Sequence, residues 1–408
     1  MSDATPSATA LATTPATTPA MTPAMTPARP KVIHLTTTDM SLDWLLAPQL
    51  QAFAAAGYEV VGMSAAGPHV PHLAGLGIRH VDVPSLTRAP SLAADLRALF
   101  ELRRLLRVER PQILHTHNPK PGVLGRIAGR LARVPVVVNT QHGLYAQPTD
   151  RWQRRLPVYA LERLAAAFSH QELVQNQEDV ETLACTLKVP RRRVTWLGNG
   201  IDLTRFTGSR DARHDVRTEW GIAEGDVVIG VVGRLVREKG FAEIVEAARL
   251  LRAQGVTVPI VVIGPADPDK RDGLDEAALA AATGHGIHFV GRRDDMPRCY
   301  AAMDVFLTAT HREGFPRAAM EASASGLPIV ATDIRGCRQV VDDGVTGVLV
   351  PVRNAPALAD AVTTLVADPT ARARLGAAAA EKARREFDQQ RVIDVTLATY
   401  RRLLPHPR

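Results

Sequence analysis

The sequence predicts an α/β protein built from two doubly wound units, each with a parallel sheet that helices cover on both faces. Its length of 408 residues is enough for two domains or slightly more. Short apolar runs alternate with stretches of helical periodicity, as expected for buried parallel strands joined by helices. The alternation begins again after the basic segment 191–193, so we assign the first domain to residues 31–205 and the second to residues 206–389.

The first domain opens with five predicted strands and three predicted helices. The strands are KVIHLTT, YEVVGMSA, the short run 79–83, QILHTH and PVVVNTQH. The helices are LAPQLQAFAAAG, which ends at Gly57, the stretch 92–110, and GVLGRIAGRLARV. In the stretch 92–110, helical spacing places four leucines on one side, namely Leu96, Leu99, Leu102 and Leu106.

The second domain repeats the pattern with six predicted strands. They are DVVIGVVGRL, VPIVVIG, GIHFVG, DVFLTAT, PIVATD and GVLVP, and the helix FAEIVEAARLL follows the first of them. Three helices, at 358–366, 371–387 and 392–404, close the chain. Two such domains leave a cleft between the carboxyl ends of their sheets, which is where α/β proteins bind ligands.

Composition narrows the class of protein. Apolar residues make up 46% and charged residues 22%, as in ordinary globular proteins. Residues 1–30 form a loose Ala, Thr and Pro repeat that we expect to be disordered. The three cysteines are far apart, which excludes a disulfide framework and fits a reducing compartment: Cys185, Cys299 and Cys337. No apolar run approaches about 20 residues and no secretory signal precedes Arg29, so we expect a cytoplasmic protein.

The positive charge is concentrated in the first domain. Residues 29–205 contain 22 Lys+Arg and 14 Asp+Glu, whereas residues 206–408 contain 27 of each. A nucleic acid, an anionic membrane surface or a phosphorylated substrate would suit such a basic half. A general preference for Arg, which supplies 43 of the 49 cations, explains the same excess without any partner.

Several common motifs are missing from the turns between strands and helices. The nearest approach to the dinucleotide fingerprint GxGxxG is the run from Gly230 to Leu235, which lacks its spacing. There is no GxxxxGK[ST] phosphate loop, no HExxH, and no DxD placed to hold a metal ion with a nucleotide diphosphate. We therefore predict neither a cofactor nor a metal.

The segment HREGFPRAAMEASASGLPIVATD, residues 311–333, follows the strand DVFLTAT. Pro316 suits the first turn of a helix that runs to about Ser325 and stops at Gly326. The backbone amides of Gly314–Arg317 would then point out of the helix start, an arrangement that suits an anion such as a diphosphate.

This segment also carries two carboxylates eight residues apart. Glu313 precedes the helix and Glu321 lies inside it, so both can reach one ligand from different sides. Carboxylates of this kind suit the hydroxyls of a sugar and a ribose. The same spacing occurs in two pairs that are typical of solvated helix faces, Glu101/Glu109 and Glu238/Glu246.

The loop GRLVREKG joins a strand of the second domain to its helix. Its two cations, Arg234 and Lys239, lie at the carboxyl edge of the sheet beside a helix start. They would suit a diphosphate leaving group. An ordinary solvated loop is the alternative.

Histidines end two strands of the first domain. His142 is expected to face the cleft, either as a polar catalytic group or substrate ligand, or as a hydrogen-bonded structural residue. His115 and His117 have a spacing known from metal sites, but the sequence shows no third ligand, so we predict no metal there. Lys120, just beyond them, is a candidate for contact with a phosphate.

Together, these segments resemble the retaining glycosyltransferases of family 4 over about residues 31–400. GRLVREKG resembles that family's Arg/Lys pair, EGFPRAAME its Glu-x7-Glu element and NTQHG its strand-end histidine. GRRDDMPRCYAAMDVF is similar to its nucleobase-side segment. GNGIDLTRF is similar to its interdomain signature, here Asn199, Gly200, Asp202 and Phe206. The resemblance implies the GT-B fold, in which two Rossmann-like domains face each other across a cleft and the last helix, about residues 390–408, packs back on the first.

The resemblance also implies a role for each matching residue. Arg234 and Lys239 would hold the donor diphosphate. Glu313 would meet the sugar hydroxyls, Glu321 the ribose, and His142 the sugar from the other domain. The implied catalytic residues are His142, Glu313, Arg234 and Lys239. The implied donor-binding residues are Gly233, Arg234, Lys239, Gly291, Arg292, Glu313, Gly314, Phe315, Pro316 and Glu321. The implied acceptor-side residues are Lys120 and His117.

The implied reaction moves a sugar from a UDP- or GDP-linked donor to a hydroxyl acceptor, with retention and without a metal. The strings TTTDMSLDWLL and HTHNPKPG look most like the branch that builds bacterial polysaccharides and lipid-linked oligosaccharides.

The chain departs from the family in two places. Many members have a Gly-rich loop where this chain has TTTDMSL, and a Gly-Gly pair followed by Glu where it has DIRGCRQV, with Gln339.

The basic first half would then dock on an anionic membrane that holds the acceptor. Candidates are the arginines beside Trp152 and those of the stretch 92–110, namely Arg103, Arg104, Arg107, Arg151, Arg154 and Arg155. Solvated helix faces are the alternative for these residues.

Two other functions fit the composition less well. A nicotinamide-dependent oxidoreductase would need the missing fingerprint, and a nucleic-acid-binding protein would have few stacking platforms, because aromatic residues make up 4%.

Overall fold

Two parallel sheets form the framework of the protein in a computed structural model. The structure describes residues 29–87, 91–117, 119–148, 150–206, 210–266 and 273–404, together with Met1. The predicted low-complexity tail therefore lies outside the described residues except at its two ends. The predicted fold class, two doubly wound α/β domains, is confirmed.

The first sheet has seven parallel strands in the order β3-β2-β1-β4-β5-β6-β7. The strands are β1 (Lys31–Thr38), β2 (Glu59–Ala65), β3 (Arg79–Asp82), β4 (Ile113–His117), β5 (Val136–Gln141), β6 (Gln171–Val174) and β7 (Val194–Trp196). The helices are α1 (Asp39–Ser41), α2 (Ala47–Ala55), α3 (Val70–Gly75), α4 (Leu92–Glu109), α5 (Pro119–Leu131), α6 (Trp152–Ala166) and α7 (Gln177–Glu181). A π-helical turn, Leu42–Leu46, makes α1 and α2 nearly continuous.

The second sheet has six parallel strands in the order β10-β9-β8-β11-β12-β13. The strands are β8 (Ile229–Val232), β9 (Ile260–Ile263), β10 (Ile287–Phe289), β11 (Val305–Thr308), β12 (Ile329–Thr332) and β13 (Gly347–Val350). The helices are α8 (Arg210–Glu219), α9 (Phe241–Ala253), α10 (Glu276–Gly284), α11 (Met296–Ala301), α12 (Arg317–Ala324), α13 (Ala355–Ala367), α14 (Pro369–Glu386) and α15 (Gln389–Leu403). The strand order reverses between β1 and β4 and between β8 and β11, which opens a crevice at the carboxyl edge of each sheet.

Each sheet is buried on both faces because successive residues of a strand point to opposite sides. In β1, Val32 packs in the cluster that includes Phe53 of α2, whereas Ile33 packs in the cluster that includes Leu102 of α4. This two-sided burial explains why the strands are nearly continuous apolar runs.

Helix α4 buries only part of the side on which its leucines lie. Ala98, Leu102 and Leu106 are buried, whereas Leu96 is 49% exposed. Leu96 lies on a second apolar stripe with Leu92 and Phe100, which are spaced four residues apart and face solvent. Helix α4 therefore has two apolar stripes, and helical spacing alone does not tell which one packs on the sheet.

The chain crosses between the domains at Ile201 and again at Asp388. The Ile201 amide donates to the Phe387 carbonyl at 2.9 Å, and the Gln389 amide donates to the Ile201 carbonyl at 3.1 Å. Asp388 then caps α15 by accepting from the amide of Gln390. Helix α15 returns to the first sheet, where it buries Val392, Ile393, Leu397 and Tyr400 in one cluster with Leu50 and Phe53 of α2.

None of the described helices combines the length and the hydropathy that crossing a membrane requires.

The two crossing segments touch at Gly200, which supplies the first prediction. A Cβ at this position would lie 2.6 Å from the Cα of Gln389 and 2.8 Å from the carbonyl oxygen of Asp388. Gly200→Ala should therefore push the segments apart and destabilise the protein by about 1–3 kcal/mol, measured by urea denaturation. Gly225→Ala is the matched control, because a Cβ there meets nothing within 4 Å. Equal midpoints for the two variants would contradict the prediction.

Candidate active site

Loops from the carboxyl ends of the two sheets meet at a contact between glycines. The loop after β5 carries His142 and Gly143, and the loop between β11 and α12 carries Gly314. A Cβ at Gly314 would lie 1.9 Å from the carbonyl oxygen of His142, and a Cβ at Gly143 would lie 2.8 Å from the Cα of Gly314. Side chains at these positions would prevent the approach, so the glycines are required for the two backbones to meet. We call this the glycine contact.

Two cavities lie on either side of the glycine contact. The cationic cavity, of about 300 Å³, is lined by five basic side chains: Arg154, Arg234, Lys239, Arg312 and Arg335. The leucine cavity, of about 190 Å³, is lined by apolar side chains together with polar groups of the first domain: Leu45, Leu46, Leu197, Phe315, His117 and Thr140. His142, Glu313 and Gly314 line both cavities. The concentration of cations makes the first cavity suitable for a multiply charged anion.

Carboxylates pair with several of these cations. The Lys239 side chain, which is 28% exposed, makes an ion pair through Nζ with the Glu313 carboxylate. Arg312 makes an ion pair with Asp150 at 2.7 Å. Arg234 is exposed at the same cavity wall. The predicted cations and the first predicted carboxylate are thus neighbours in the cavity.

The start of α12 lies beside this group. Pro316 is the N-cap rather than the first helical residue, so the helix begins at Arg317. Phe315 is buried and its ring meets the Phe387 ring edge-on, with centroids 5.9 Å apart. This packing fixes the loop that carries Gly314, and it aims the amides of the helix start at the cleft.

Five predicted donor residues are not among those that line the two cavities, namely Gly233, Gly291, Arg292, Pro316 and Glu321. Glu321 accepts hydrogen bonds from the Tyr300 hydroxyl and from Arg317 Nε, each at 3.0 Å. The carbonyl of Gly291 accepts from the amide of Gly264 at 2.9 Å. The Arg292 guanidinium lies over the ring of Trp44, 5.3 Å from its centroid, and so connects the second domain to the first.

A buried ion pair ties the domains together behind the cationic cavity. Arg335 Nη1 lies 2.5 Å from Asp179, and Arg335 Nη2 donates to the Leu144 carbonyl at 2.8 Å. Asn176 donates to the carbonyls of Gly314 and Arg335, each at 3.2 Å. Burial raises the pKa of Asp179 to about 6, although the charge of Arg335 acts in the opposite direction.

His142 is half-buried and belongs to a larger group of histidines. Its Nε2 lies 3.1 Å from Nδ1 of His117, whose Nε2 lies 3.0 Å from Nδ1 of His34. Ligand atoms of His34, His115 and His117 lie within 4.8 Å of one another, a spacing that a metal ion could use. The statement that the sequence shows no third ligand was therefore wrong: the parallel register of β1 and β4 pairs His34 with His115.

The two predicted acceptor-side residues are in different surroundings. His117 lines the leucine cavity, although only 2% of it is exposed. Lys120, at the start of α5, makes an ion pair with Asp95 at 2.6 Å. Lys120 is not among the residues that line the two cavities.

Comparisons with known proteins agree with this arrangement. The family described as "Glycosyl transferase 4-like domain" matches residues 44–200, and the family described as "Glycosyl transferases group 1" matches residues 212–382. HepE from Anabaena, solved in complex with UDP, has the same fold, with a TM-score of 0.76 and 20% identity over 91% of this chain and 100% of that one.

Two curated relatives extend the comparison. Capsular polysaccharide biosynthesis glycosyltransferase CapM from Staphylococcus aureus is 26% identical over 88% of this chain and 94% of its own. UDP-Gal:alpha-D-GlcNAc-diphosphoundecaprenol alpha-1,3-galactosyltransferase from Escherichia coli is 30% identical over 71% of this chain and 76% of its own. This chain belongs to glycosyltransferase family 4. The oxidoreductase alternative is therefore wrong, and the cleft of this family 4 glycosyltransferase has the GT-B arrangement.

Some cleft residues of this family 4 glycosyltransferase were not predicted. Arg335 lies in the string DIRGCRQV, where we noted only the departure from the family pattern. Asn176 and Asp179 follow β6 at the same sheet edge as His142, so strand ends could have indicated them. No pattern in the sequence around Tyr400 indicates its role, because Tyr400 reaches the first sheet only through the return of α15.

The buried histidines of this family 4 glycosyltransferase predict a loss of stability in acid. Burial lowers the pKa of His34 to about 3 and of His142 to about 4, and it holds the pKa values of His115 and His117 well below 6.5. The unfolded chain binds protons near pH 6.5 that the folded one cannot, so stability is full above this pH and falls as the pH drops toward 4. Each histidine contributes about 1.4 kcal/mol per pH unit in this window.

Asp179 acts in the opposite direction, because its raised pKa makes the folded protein bind a proton between about pH 6 and 4. Burial also lowers the pKa of His80 and His170, so the histidines outnumber Asp179 and unfolding should take up protons on balance. The net uptake is measured as the slope of the urea-derived free energy of unfolding between pH 6.5 and 5. His142→Gln should reduce the slope by about one proton, whereas His214→Gln, at an exposed position, should not change it. A free energy independent of pH would contradict the prediction.

Proposed function

We propose that this family 4 glycosyltransferase transfers a sugar from a UDP- or GDP-linked donor to a hydroxyl of a lipid-linked or polysaccharide precursor, with retention at the anomeric carbon. The observation that carries the proposal is the cationic cavity, where Arg234 and Lys239 of one domain lie near His142 of the other. The names of the relatives support the substrates: a UDP complex, a UDP-galactose transferase acting on a diphosphoundecaprenol-linked sugar, and a capsular polysaccharide enzyme.

The donor diphosphate would bind between Arg234, Lys239 and the amides at the start of α12. In the structure Lys239 is paired with Glu313. A diphosphate has more negative charge than one carboxylate and would replace Glu313 as the partner of Lys239. Glu313 would then be free to accept hydrogen bonds from the sugar hydroxyls. Lys239 would therefore bind the donor and, by leaving Glu313, release the carboxylate that positions the sugar.

The chemical step depends mainly on stabilising the departing diphosphate. The bond from the anomeric carbon to the diphosphate oxygen breaks while the acceptor oxygen bonds to that carbon on the same face. The acceptor proton passes to the leaving phosphate oxygen. Positive charge develops on the sugar ring, and negative charge develops on the diphosphate, where Arg234, Lys239 and the amides of Gly314–Arg317 would stabilise it. Glu313 would share the developing charge of the ring.

The rest of the donor would extend along the second domain. We assign the ribose hydroxyls to Glu321, whose carboxylate is already oriented by Tyr300 and Arg317. We assign the nucleobase to the turn at Gly291 and Arg292. Gly291 has a positive φ of 72°, a conformation that favours glycine, and without a side chain its backbone is open to a base.

The acceptor would enter from the first domain. The leucine cavity combines apolar side chains with the polar groups of His117 and Thr140, which suits the sugar end of a lipid-linked acceptor. Lys120, paired with Asp95 at the rim of α5, is assigned to a phosphate of that acceptor.

Removal of the cations should reduce transfer strongly. Arg234→Ala and Lys239→Ala should each lower kcat/KM by about 10²–10³, because each removes one strong transition-state contact. The assay measures release of UDP or GDP from nucleotide sugars, with a lipid-linked acceptor and a chelator present. Arg237→Ala is the matched control, since Arg237 lies in the same loop, is exposed and does not line the cationic cavity. Unchanged rates for both cation variants would reject the diphosphate assignment.

The outer surface of the first domain is suited to an anionic membrane. Helix α5 packs between α4 and α6, so the three helices form one layer on the sheet. Exposed apolar side chains occur along this layer, namely Leu92, Leu96 and Phe100 on α4 and Trp152, Leu156 and Leu164 on α6. The arginines around them are Arg97, Arg103, Arg104, Arg107, Arg151, Arg155 and Arg163, whereas Arg154 of α6 lines the cationic cavity.

Acidic groups of this layer are already engaged. Glu162 pairs with the buried Arg126, Glu109 with Arg79, and Asp95 with Lys120. The arginines around the apolar side chains therefore give this outer surface a positive electrostatic potential, and the apolar side chains can enter the headgroup region of a membrane. We propose a cytoplasmic enzyme that binds peripherally to the inner face of the cell membrane, where a lipid-linked acceptor would be present.

Sedimentation with vesicles tests the membrane surface. Arg104→Ala/Arg107→Ala should weaken binding to vesicles with anionic lipid at least about tenfold, because each cation near the surface contributes about 1 kcal/mol. Arg384→Ala/Arg385→Ala on α14 of the second domain is the control. Binding should also weaken with salt. Sedimentation that responds neither to anionic lipid nor to salt would contradict the proposal.

A further inference from the structure

A continuous series of hydrogen bonds runs from the sheet of the first domain to the cleft. Three links join buried side chains: Thr140 Oγ1 to His115 Nε2 at 2.7 Å, His115 Nδ1 to the Tyr400 hydroxyl at 2.5 Å, and that hydroxyl to His34 Nε2 at 3.3 Å. We call the whole series the histidine chain, and its members in order are Thr140, His115, Tyr400, His34, His117, His142 and Gln175.

Three further links bring the histidine chain to the cleft. His34 Nδ1 lies 3.0 Å from His117 Nε2, and His117 Nδ1 lies 3.1 Å from His142 Nε2. His142 Nδ1 lies 3.2 Å from the Gln175 side-chain oxygen. His142, His117 and Gln175 line the leucine cavity.

The number of protons gives the histidine chain one direction. Its six links need six protons, and four neutral imidazoles, one Tyr and one Thr supply six. At the cleft end, the Gln175 oxygen can only accept, so His142 must donate from Nδ1 and accept at Nε2. The same assignment then follows at each link back to the Thr140 hydroxyl. Every histidine of the chain therefore carries its proton on Nδ1.

The surroundings favour this neutral state. His34, His115 and His117 are at most 2% exposed, and Tyr400 is fully buried. Burial lowers the pKa of all four imidazoles, to about 4 for His142, because a charged ring would be removed from water. A further proton would also place two hydrogens in one link.

A metal ion is the competing explanation for three neighbouring histidines. Chelation needs lone pairs that converge on one point, with rings radiating from it. The rings here are stacked instead: His34 and His117 are inclined by 20°, and His115 and His117 by 26° with centroids 4.3 Å apart. Both nitrogens of His115 already have partners in Thr140 and Tyr400. Hydrogen bonding accounts for every imidazole nitrogen of the group without a metal.

We propose that His117, His34 and Tyr400 are positioning residues that fix the cleft imidazole of His142 as the neutral tautomer protonated on Nδ1. The proposal rests on the proposed contact of His142 with the donor sugar. With Nε2 occupied by His117, His142 can offer the sugar only the Nδ1 proton. It therefore serves as a hydrogen-bond donor to a sugar oxygen, which would replace Gln175, and not as a base or a cation.

Nitrogen-15 NMR of the full chain labelled in its histidines tests the tautomers directly. In water a neutral imidazole carries its proton mainly on Nε2, so the expected pattern is distinctive. Among the 13 histidines, the four of the histidine chain should show protonated Nδ1 and bare Nε2 at pH 7. Single substitutions assign their signals and separate them from those of His69 and His72, whose Nδ1 atoms donate to the Asp43 carboxylate. This measurement uses ligand-free protein, so it stands even if no glycosyl transfer is detected and the proposed function fails.

Tyr400→Phe breaks the histidine chain in its middle. In the ligand-free protein the Gln175 oxygen still directs His142, but once a donor sugar replaces Gln175 nothing else orients His34, His117 and His142. The His142 signals of the donor complex should therefore become a mixture of tautomers. The donor KM should rise about 3- to 10-fold with kcat nearly unchanged, because a donor contact made in both ground and transition state is weakened. Tyr58→Phe is the matched control. Tyr58 is buried against the Tyr400 ring, with ring centroids 5.7 Å apart, but its hydroxyl is outside the histidine chain.

Three results would overturn the proposal. One is a His142 imidazole that is charged or protonated on Nε2 in the unsubstituted protein. Another is one equivalent of zinc in elemental analysis of the purified protein together with metal-shifted imidazole signals. The third is equal tautomer patterns in the presence of donor, together with equal donor KM values, for Tyr400→Phe and Tyr58→Phe. If Tyr400→Phe does not fold, the spectra of the unsubstituted protein still decide between the tautomers.

Discussion

The backbone contact between His142–Gly143 and Gly314 is the constraint on which the rest of the cleft depends. It joins the loop after a strand of one domain to the loop before a helix of the other, and the missing side chains let the backbones meet. Both cavities exist because this contact divides the interdomain cleft. It also explains why His142 lies beside Glu313 although the two residues belong to different sheets. Sites at the carboxyl ends of parallel strands are common, but here two such sites are joined at one point.

Charge in the cleft follows from the same closeness. Lys239, Arg312 and Arg335 all line one cavity, and like charges so near one another would repel if nothing compensated them. Each has a carboxylate partner, and two of these partners belong to the first domain, namely Asp150 and Asp179. The cleft therefore brings the domains together partly through the ion pairs Arg312–Asp150 and Arg335–Asp179.

Local pattern predicted the parts of the protein that local chemistry determines. The strands are continuous apolar runs because both faces are buried, and Arg234, Lys239, Glu313 and His142 follow strand ends in short, recognisable loops. The features that local pattern did not predict depend on partners that are distant in sequence. The side on which α4 packs depends on the sheet beneath it, and the third histidine, His34, meets His115 only through strand register. Contacts such as these have no signal in the local sequence, because each residue taken alone looks like an ordinary buried or exposed position.

The return of α15 to the first domain is the clearest case of such a long-range effect. Its Tyr400 contributes one hydroxyl to the histidine chain of the first sheet, 285 residues away from His115 in sequence. A tyrosine hydroxyl can donate and accept at once, so it passes the direction of hydrogen bonding from one histidine to the next. An apolar side chain of the same shape would fill the same space and bury similar area, but it would leave two buried nitrogens without partners, which costs more than the lost bond alone. Packing therefore explains why α15 returns to this sheet, and hydrogen bonding explains why a tyrosine stands where it does.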